Sequence, residues 1–229
     1  MAFVLDEVVP WGRNFDEYVE MFALTPADLE RRILGCADGP ASFNAEMHER
    51  GHHVVSLDPL YAASPDELAA RIDATFDKVM TQAHRNRDAF VWQNIRSIDH
   101  LAEIRRAAMQ TFLADFPAGL RAGRYLAAAL PHLPFADRSF DLILCSHYLF
   151  LYSDQLSAGE HLTDLAEMCR VAREVRIYPL QALSGAPSPH VEPMLAALRA
   201  HGHRAEIVPV AYEFRRDSRT MLRVLSGAR

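Results

Sequence analysis

Lysine is almost absent: Lys78 is the only one among 229 residues. A phosphate-binding GxxxxGK[ST] loop is therefore excluded. Lys78 itself sits in a surface-like helical pattern, so Schiff-base chemistry has no good candidate either. Cysteine is scarce, with Cys36, Cys145 and Cys169 far apart and no CxxC. Neither a zinc site nor a disulfide framework is indicated. Cys36 and Cys145 end apolar runs and read as small buried hydrophobes. Positive charge is not in excess, since the formal net charge is -6. A broad face for nucleic-acid backbone is not expected. No apolar stretch approaches the roughly 18 residues of a membrane span. The opening "MAFVLDEVVPWGR" is acidic before it is basic, unlike a secretory leader. The expectation is a soluble cytoplasmic protein, with no membrane and no nucleic-acid partner. No internal repeat or low-complexity linker is found.

What is present is apolar and alternating. Hydrophobic residues make up 50% of the chain, enough for a substantial core. Residues 1–31 read as a mainly helical lead-in, with Phe15, Tyr18, Val19 and Phe22 at helical spacing. "RILGC" reads as a strand, "SFNAEMHER" as a helix closed by Gly51, and "HVVSLD" as the next strand. Ser64-Pro65-Asp66-Glu67 carries a cap, a first-turn proline and a capping-box glutamate. A second helix begins near Asp99 and carries Leu101, Ile104, Ala108 and Phe112. Residues 61–120 are thus a helical insertion within a single domain spanning 1–229. "RYLAAAL" and "FDLILC" then read as strands, followed by a helix from Ser157 to about Arg173 and the strand "EVRIYPL". A helix from Ser188-Pro189 to Gly202 precedes two closing strands, "EIVPVAYEF" and "TMLRVL". Alternating strands and helices specify an α/β domain.

In such sheets ligands bind beyond the carboxyl ends of the strands. The first strand leads into Gly35-Cys36-Ala37-Asp38-Gly39, the second into Asp58, Pro59 and Leu60. The third leads into Ala129 and Leu130, and the fourth into Ser146, His147 and Tyr148. Asp58 lies about twenty residues past the glycine loop, where a carboxylate can accept from ribose hydroxyls. A strand-ending turn aspartate before Pro59 is the alternative. His147 is the best-placed base, or else a structural histidine at a strand end. The His52-His53 and His201/His203 pairs flank glycines and read as loop histidines, with no spacing that completes a metal site.

Two stretches carry a family resemblance: "ILGCADGPASF" and "LPHLPFADRSFDLILCSHYLFLYSD", residues 130–154. The chain resembles the class I S-adenosylmethionine-dependent methyltransferases, a Rossmann-like family, from Ile33 to about Leu225. The first stretch is similar to that family's GxGxG loop and the second to its segment around the fourth strand. The resemblance implies a three-layer α/β/α sheet, mostly parallel, with an antiparallel C-terminal strand. It implies S-adenosylmethionine as cofactor and methyl transfer to an acceptor, here a small molecule whose identity is left open. The cofactor would then lie against Gly35, Cys36, Ala37, Asp38, Gly39, Asp58, Pro59, Leu60, Ala129, Leu130 and Ser146. Gly35 would keep the loop tight, and Gly39 would let backbone lie against the cofactor. Arg13 and Tyr18, before the first strand, would close over it, with Arg13 pairing its carboxylate.

The chain departs from the family at three places. Ile33 replaces the usual acid two positions before the first glycine. Ala37 replaces the middle glycine, and Ala129 the acid often found after the third strand. Asp38 is the acid left inside the loop to compensate. These departures keep a second reading open, a methyltransferase-like binding module without chemistry. A nicotinamide-dependent oxidoreductase is weaker, because a third glycine is missing near Pro40. In the enzyme reading His147 orients or deprotonates the acceptor, and helices 61–120 form a lid or wall over its pocket. Oligomeric state is not encoded in any pattern found.

Overall fold

A computed structural model describes residues 9–227. The opening "MAFVLDEV" and the last two residues, which the expected lead-in and domain span include, lie outside it.

Seven strands form one sheet: β1 Ile33–Cys36, β2 Val54–Leu57, β3 Tyr125–Leu126, β4 Phe140–Ser146, β5 Ala172–Tyr178, β6 Arg204–Pro209 and β7 Thr220–Leu225. Their spatial order is β3-β2-β1-β4-β5-β7-β6. All pairs up to β5 are parallel, whereas β7 runs antiparallel to β5 and β6. The helices are α1 Phe15–Met21, α2 Pro26–Leu29, α3 Phe43–Glu49, α4 Pro65–Arg85, α5 Ile98–Arg121, α6 Ala158–Val171 and α7 Val191–Ala200. The result is the three-layer, Rossmann-like arrangement that the resemblance implied.

The strands explain the layers. Every residue of β1 is buried, as a strand covered on both faces must be. Alternation then sorts the side chains. Leu34, Cys36, Ile143 and Cys145 join Leu165, Met168 and Leu195 of α6 and α7 on one face. Ile33, Leu142 and Leu144 join Tyr18, Met21 and Phe43 of α1 and α3 on the other. Capping boxes start the helices where expected, Ser64 with Glu67 and Ser157 with Glu160. The α4 stripe Leu68, Ile72, Phe76, Val79 and Met80 is buried.

Four boundaries differ from the sequence reading. Only Tyr125 and Leu126 of "RYLAAAL" are strand, because only they find partners on the short β2, at Ser56 and Leu57. "EIVPVAYEF" leaves the sheet at Pro209, the last residue paired with β7. Helix α7 starts at Val191 instead of Ser188-Pro189, where Ser188 Oγ accepts from His190 N at 3.2 Å. Helix α6 stops at Val171, because Ala172 already pairs with Phe140 in the sheet.

The strand order reverses between β1 and β4. That is the topological switch point at which an open α/β sheet leaves a crevice beyond its carboxyl ends.

Candidate functional site

The crevice is a cavity of about 420 Å³. Arg13, Tyr18, Ala37, Asp38, Gly39 and Asp58 line it, together with Pro59, Leu60, Ser146 and His147. Ten expected site residues thus meet at one place.

The glycine loop works differently from expectation at Gly35. A Cβ there would lie 1.7 Å from Asp38 Oδ2. Gly35 is therefore small to admit the Asp38 carboxylate, and the tight turn falls on Ala37 (φ 56) and Gly39 (φ 54). Both occupy the left-handed region, which glycine adopts without steric cost. A Cβ on Gly39 would meet nothing within 4 Å.

Asp38 is 7% exposed. Tyr18 Oη donates to its Oδ1 at 2.9 Å and Ser56 Oγ to its Oδ2 at 2.6 Å. Burial outweighs both hydrogen bonds and raises its pKa to about 7, and the Asp58 charge adds to the rise. A carboxyl protonated in the fold and ionised in the unfolded chain stabilises below the unfolded pKa. That contribution disappears as pH climbs through 7. Wild type should therefore lose stability relative to Asp38→Asn between about pH 4 and 7, by about 4 kcal/mol at most. Urea unfolding of both proteins across that range measures it, and parallel curves would refute the assignment.

Asp58 Oδ2 accepts from Gly39 N at 2.9 Å and its Oδ1 from Leu60 N at 2.8 Å. It caps the 3-10 turn Pro59–Ala62. Burial shifts its pKa upward, against those two bonds. The turn role and the cavity position coincide, since each carboxylate oxygen keeps a second lone pair.

At the end of β4, His147 takes φ 54, and its N–H donates to Tyr178 O at 2.6 Å. Its Nδ1 lies 2.9 Å from Ser146 Oγ. Tyr18, on the same cavity wall, donates to Asp38. In the tautomer that carries its proton on Nδ1, His147 donates to Ser146 Oγ and leaves Nε2 with a lone pair. Burial, then Arg13 and Arg105, hold the imidazole pKa well below its usual value, so the ring is neutral at pH 7.

Arg13 donates to Trp11 O at 3.2 Å, and its buried Nε has no partner. The acid it would otherwise pair with is taken. Glu17 receives both Arg105 Nη groups, at 2.5 and 2.6 Å, and Tyr212 Oη at 2.7 Å. Among the described residues Arg13 makes no ion pair. Burial, then Arg105, push its pKa down.

No protein-family model matches the chain. It is 30% identical over 221 residues to the uncharacterized protein MJ0045 of Methanocaldococcus jannaschii, covering 95% of this chain and 96% of that one. The chain belongs to the MJ0045 family. Solved structures similar to it include 1,6-didemethyltoxoflavin-N1-methyltransferase from Burkholderia thailandensis (14% identity, 93% of this chain, 77% of that, TM-score 0.48). A TehB-like methyltransferase from Corynebacterium glutamicum is similar too (14% identity, 93% and 88%, TM-score 0.46). So is magnesium protoporphyrin IX methyltransferase from Synechocystis (11% identity, 86% and 70%, TM-score 0.46).

In this MJ0045-family chain, four expected site residues lie off the cavity: Gly35, Cys36, Ala129 and Leu130. Cys36 pairs in register with Cys145 and faces the α6 side of the sheet. Ala129 and Leu130 miss because β3 ends at Leu126, and Ala129 is exposed. Other cavity residues escaped the sequence reading. Arg71, Val79, Phe90 and Leu101 come from α4, α5 and their connection. Tyr178 ends β5, Gln181 follows it, and Tyr212, Phe214 and Arg215 come from the β6–β7 connection. One signal was available for Arg105: it falls on the buried stripe of α5 with Leu101, Ala108 and Phe112, where a charge needs a partner. Gln181 and Arg215 gave none.

Among the described residues no group of three or more His, Cys, Asp or Glu side chains is placed to hold a metal, and no helix is long and apolar enough to cross a membrane.

Proposed function

We propose that the chain is an S-adenosylmethionine-dependent methyltransferase acting on a small molecule. One observation carries the reading. The same cavity holds Arg13, which makes no ion pair among the described residues, and Asp38, a buried carboxyl with no cation bound to it among them. The amino-acid end of the cofactor supplies both missing charges. Asp58, with free lone pairs beside Gly39, suits ribose hydroxyls. Asp38 thereby takes the place of the acid replaced by Ile33.

When bound, S-adenosylmethionine supplies a methyl group on a sulfonium. The protein's part is to align the acceptor and keep water out. Trp11, Tyr148 and Tyr152 provide apolar surface around the reacting end. Ser146 orients His147, whose Nε2 receives the proton from an acceptor hydroxyl or N–H. The residues of α4 and α5 that line the cavity make this helical pair its outer wall, the lid role proposed for segment 61–120.

Calorimetry with S-adenosylmethionine, S-adenosylhomocysteine and NAD tests the reading. The first two should bind and NAD should not. Asp58→Ala should weaken binding by about 1.5–3 kcal/mol, the cost of a lost charge-assisted hydrogen bond, or roughly 10- to 150-fold. Unchanged affinity in a folded variant, or binding of NAD alone, would overturn it.

A further inference from the structure

Away from the glycine loop the cavity holds a second arginine that makes no ion pair among the described residues. Arg215 lies on the β6–β7 connection, which is stitched to the segment between α4 and α5. Val91 N donates to Phe214 O at 2.8 Å and Arg216 N to Ala89 O at 3.0 Å. Phe90 and Phe214 stack with centroids 4.6 Å apart, and Trp92 closes edge-on against both. The Arg215 backbone is thus held on an aromatic platform.

The guanidinium is also fixed. Its Nη1 donates to Leu183 O at 2.6 Å. Its plane rests against Gly185, where a Cβ would come within 2.7 Å of Nη2. Gly185 has φ 91, so the space is kept by a residue with two reasons to be glycine. Among the described residues Arg215 has no ion pair. Gln181, Tyr178 and Ser218, which line the same cavity, are neutral. Gln181 is itself buried, and its Oε1 has no donor. A half-buried arginine, held by backbone and paired with no acid among the described residues, is poised for an anion from outside.

We propose that Arg215 binds a carboxylate of the methyl acceptor, and that the acceptor is a flat aromatic acid. The acceptor half of the proposal rests on the methyltransferase reading; the anion site does not. A carboxylate fits better than a phosphate. One Nη group is already engaged by Leu183 O, which leaves a single two-pronged edge. A planar carboxylate presents its two coplanar oxygens to that edge, whereas a tetrahedral phosphate would leave further oxygens to be desolvated against apolar walls. The walls Phe90, Phe214, Tyr178 and Tyr212 suit a planar ring.

The test is a titration of full-length protein, with S-adenosylhomocysteine present, against matched acid and amide pairs. The pairs are benzoate and benzamide, 4-hydroxybenzoate and 4-hydroxybenzamide, and indole-3-acetate and indole-3-acetamide, with phenyl phosphate alongside. At least one acid should bind about tenfold or more tightly than its amide. Arg215→Gln should remove that preference while S-adenosylhomocysteine affinity and the urea midpoint stay as in wild type. Arg215→Lys should keep part of it. If amides bind as well as acids, if no acid binds, if phenyl phosphate binds tightest, or if the preference survives Arg215→Gln, the carboxylate site is wrong. If S-adenosylhomocysteine does not bind but an Arg215-dependent preference for acids remains, the methyltransferase reading fails and the carboxylate site stands.

Discussion

Turnover should fall by a factor of about 100 to 10,000 when His147 is replaced by alanine, the usual loss for a positioned general base. Affinity for S-adenosylhomocysteine should stay near wild type, because the groups assigned to the cofactor are Arg13, Asp38 and Asp58. The pH profile gives a second readout. Burial, then Arg13 and Arg105, keep His147 deprotonated well below its ordinary range. A base must be unprotonated to act, so the acid limb of kcat should lie well below pH 6.5 in wild type and be missing in the variant. The measurement uses an aromatic acid selected by the Arg215 titration. Equal turnover by both proteins would remove His147 from the mechanism.

Glu17→Ala should destabilise the fold by about 3–5 kcal/mol, the cost of breaking a buried ion pair from one side. Glu17 is 7% exposed and Arg105 1%. The carboxylate accepts from both Arg105 Nη groups, from Tyr212 Oη and from Asn14 N, which it caps at the start of α1. Burial alone would raise its pKa, but Arg105, with Arg13 and Tyr212, outweighs burial and the acid stays ionised. Removing it strands Arg105 beside Arg13, two cations in one buried pocket. Urea denaturation of both proteins at pH 7 measures the loss. A change below about 1 kcal/mol, the range of an exposed pair, would show that the cluster is solvated. Because Arg13 depends on Arg105 having its own acid, the variant should also lose cofactor affinity.

Much of the fold is local, and the sequence alone determined it. The buried run of β4, the capping boxes at Ser64 and Ser157, and the apolar stripe of α4 are set by neighbours two to four positions away. They specify the order of elements, and that order specifies a sheet with a crevice at its switch point. The glycine loop, Asp58 and His147 follow, because strand ends in such a sheet face that crevice. The boundaries that moved, at β3, β6, α6 and α7, are those where a partner strand or a turn decides how long an element can continue.

Only the tertiary structure decided which charges at the site are satisfied. Glu17 meets Arg105 across 88 positions of chain and Tyr212 across 195. No periodicity encodes a pairing of that length. Yet it is this pairing that leaves Arg13 without an ion-pair partner among the described residues. Gly35 has the same lesson: in sequence it belongs to the loop motif, and in space it makes room for the carboxylate of Asp38. Arg215 reaches the cavity because the β6–β7 connection folds back onto the segment joining α4 and α5. Short-range patterning built the frame. The balance of charge inside it is a property of side chains brought together from the two ends of the chain, where burial makes each unpaired group costly and therefore informative.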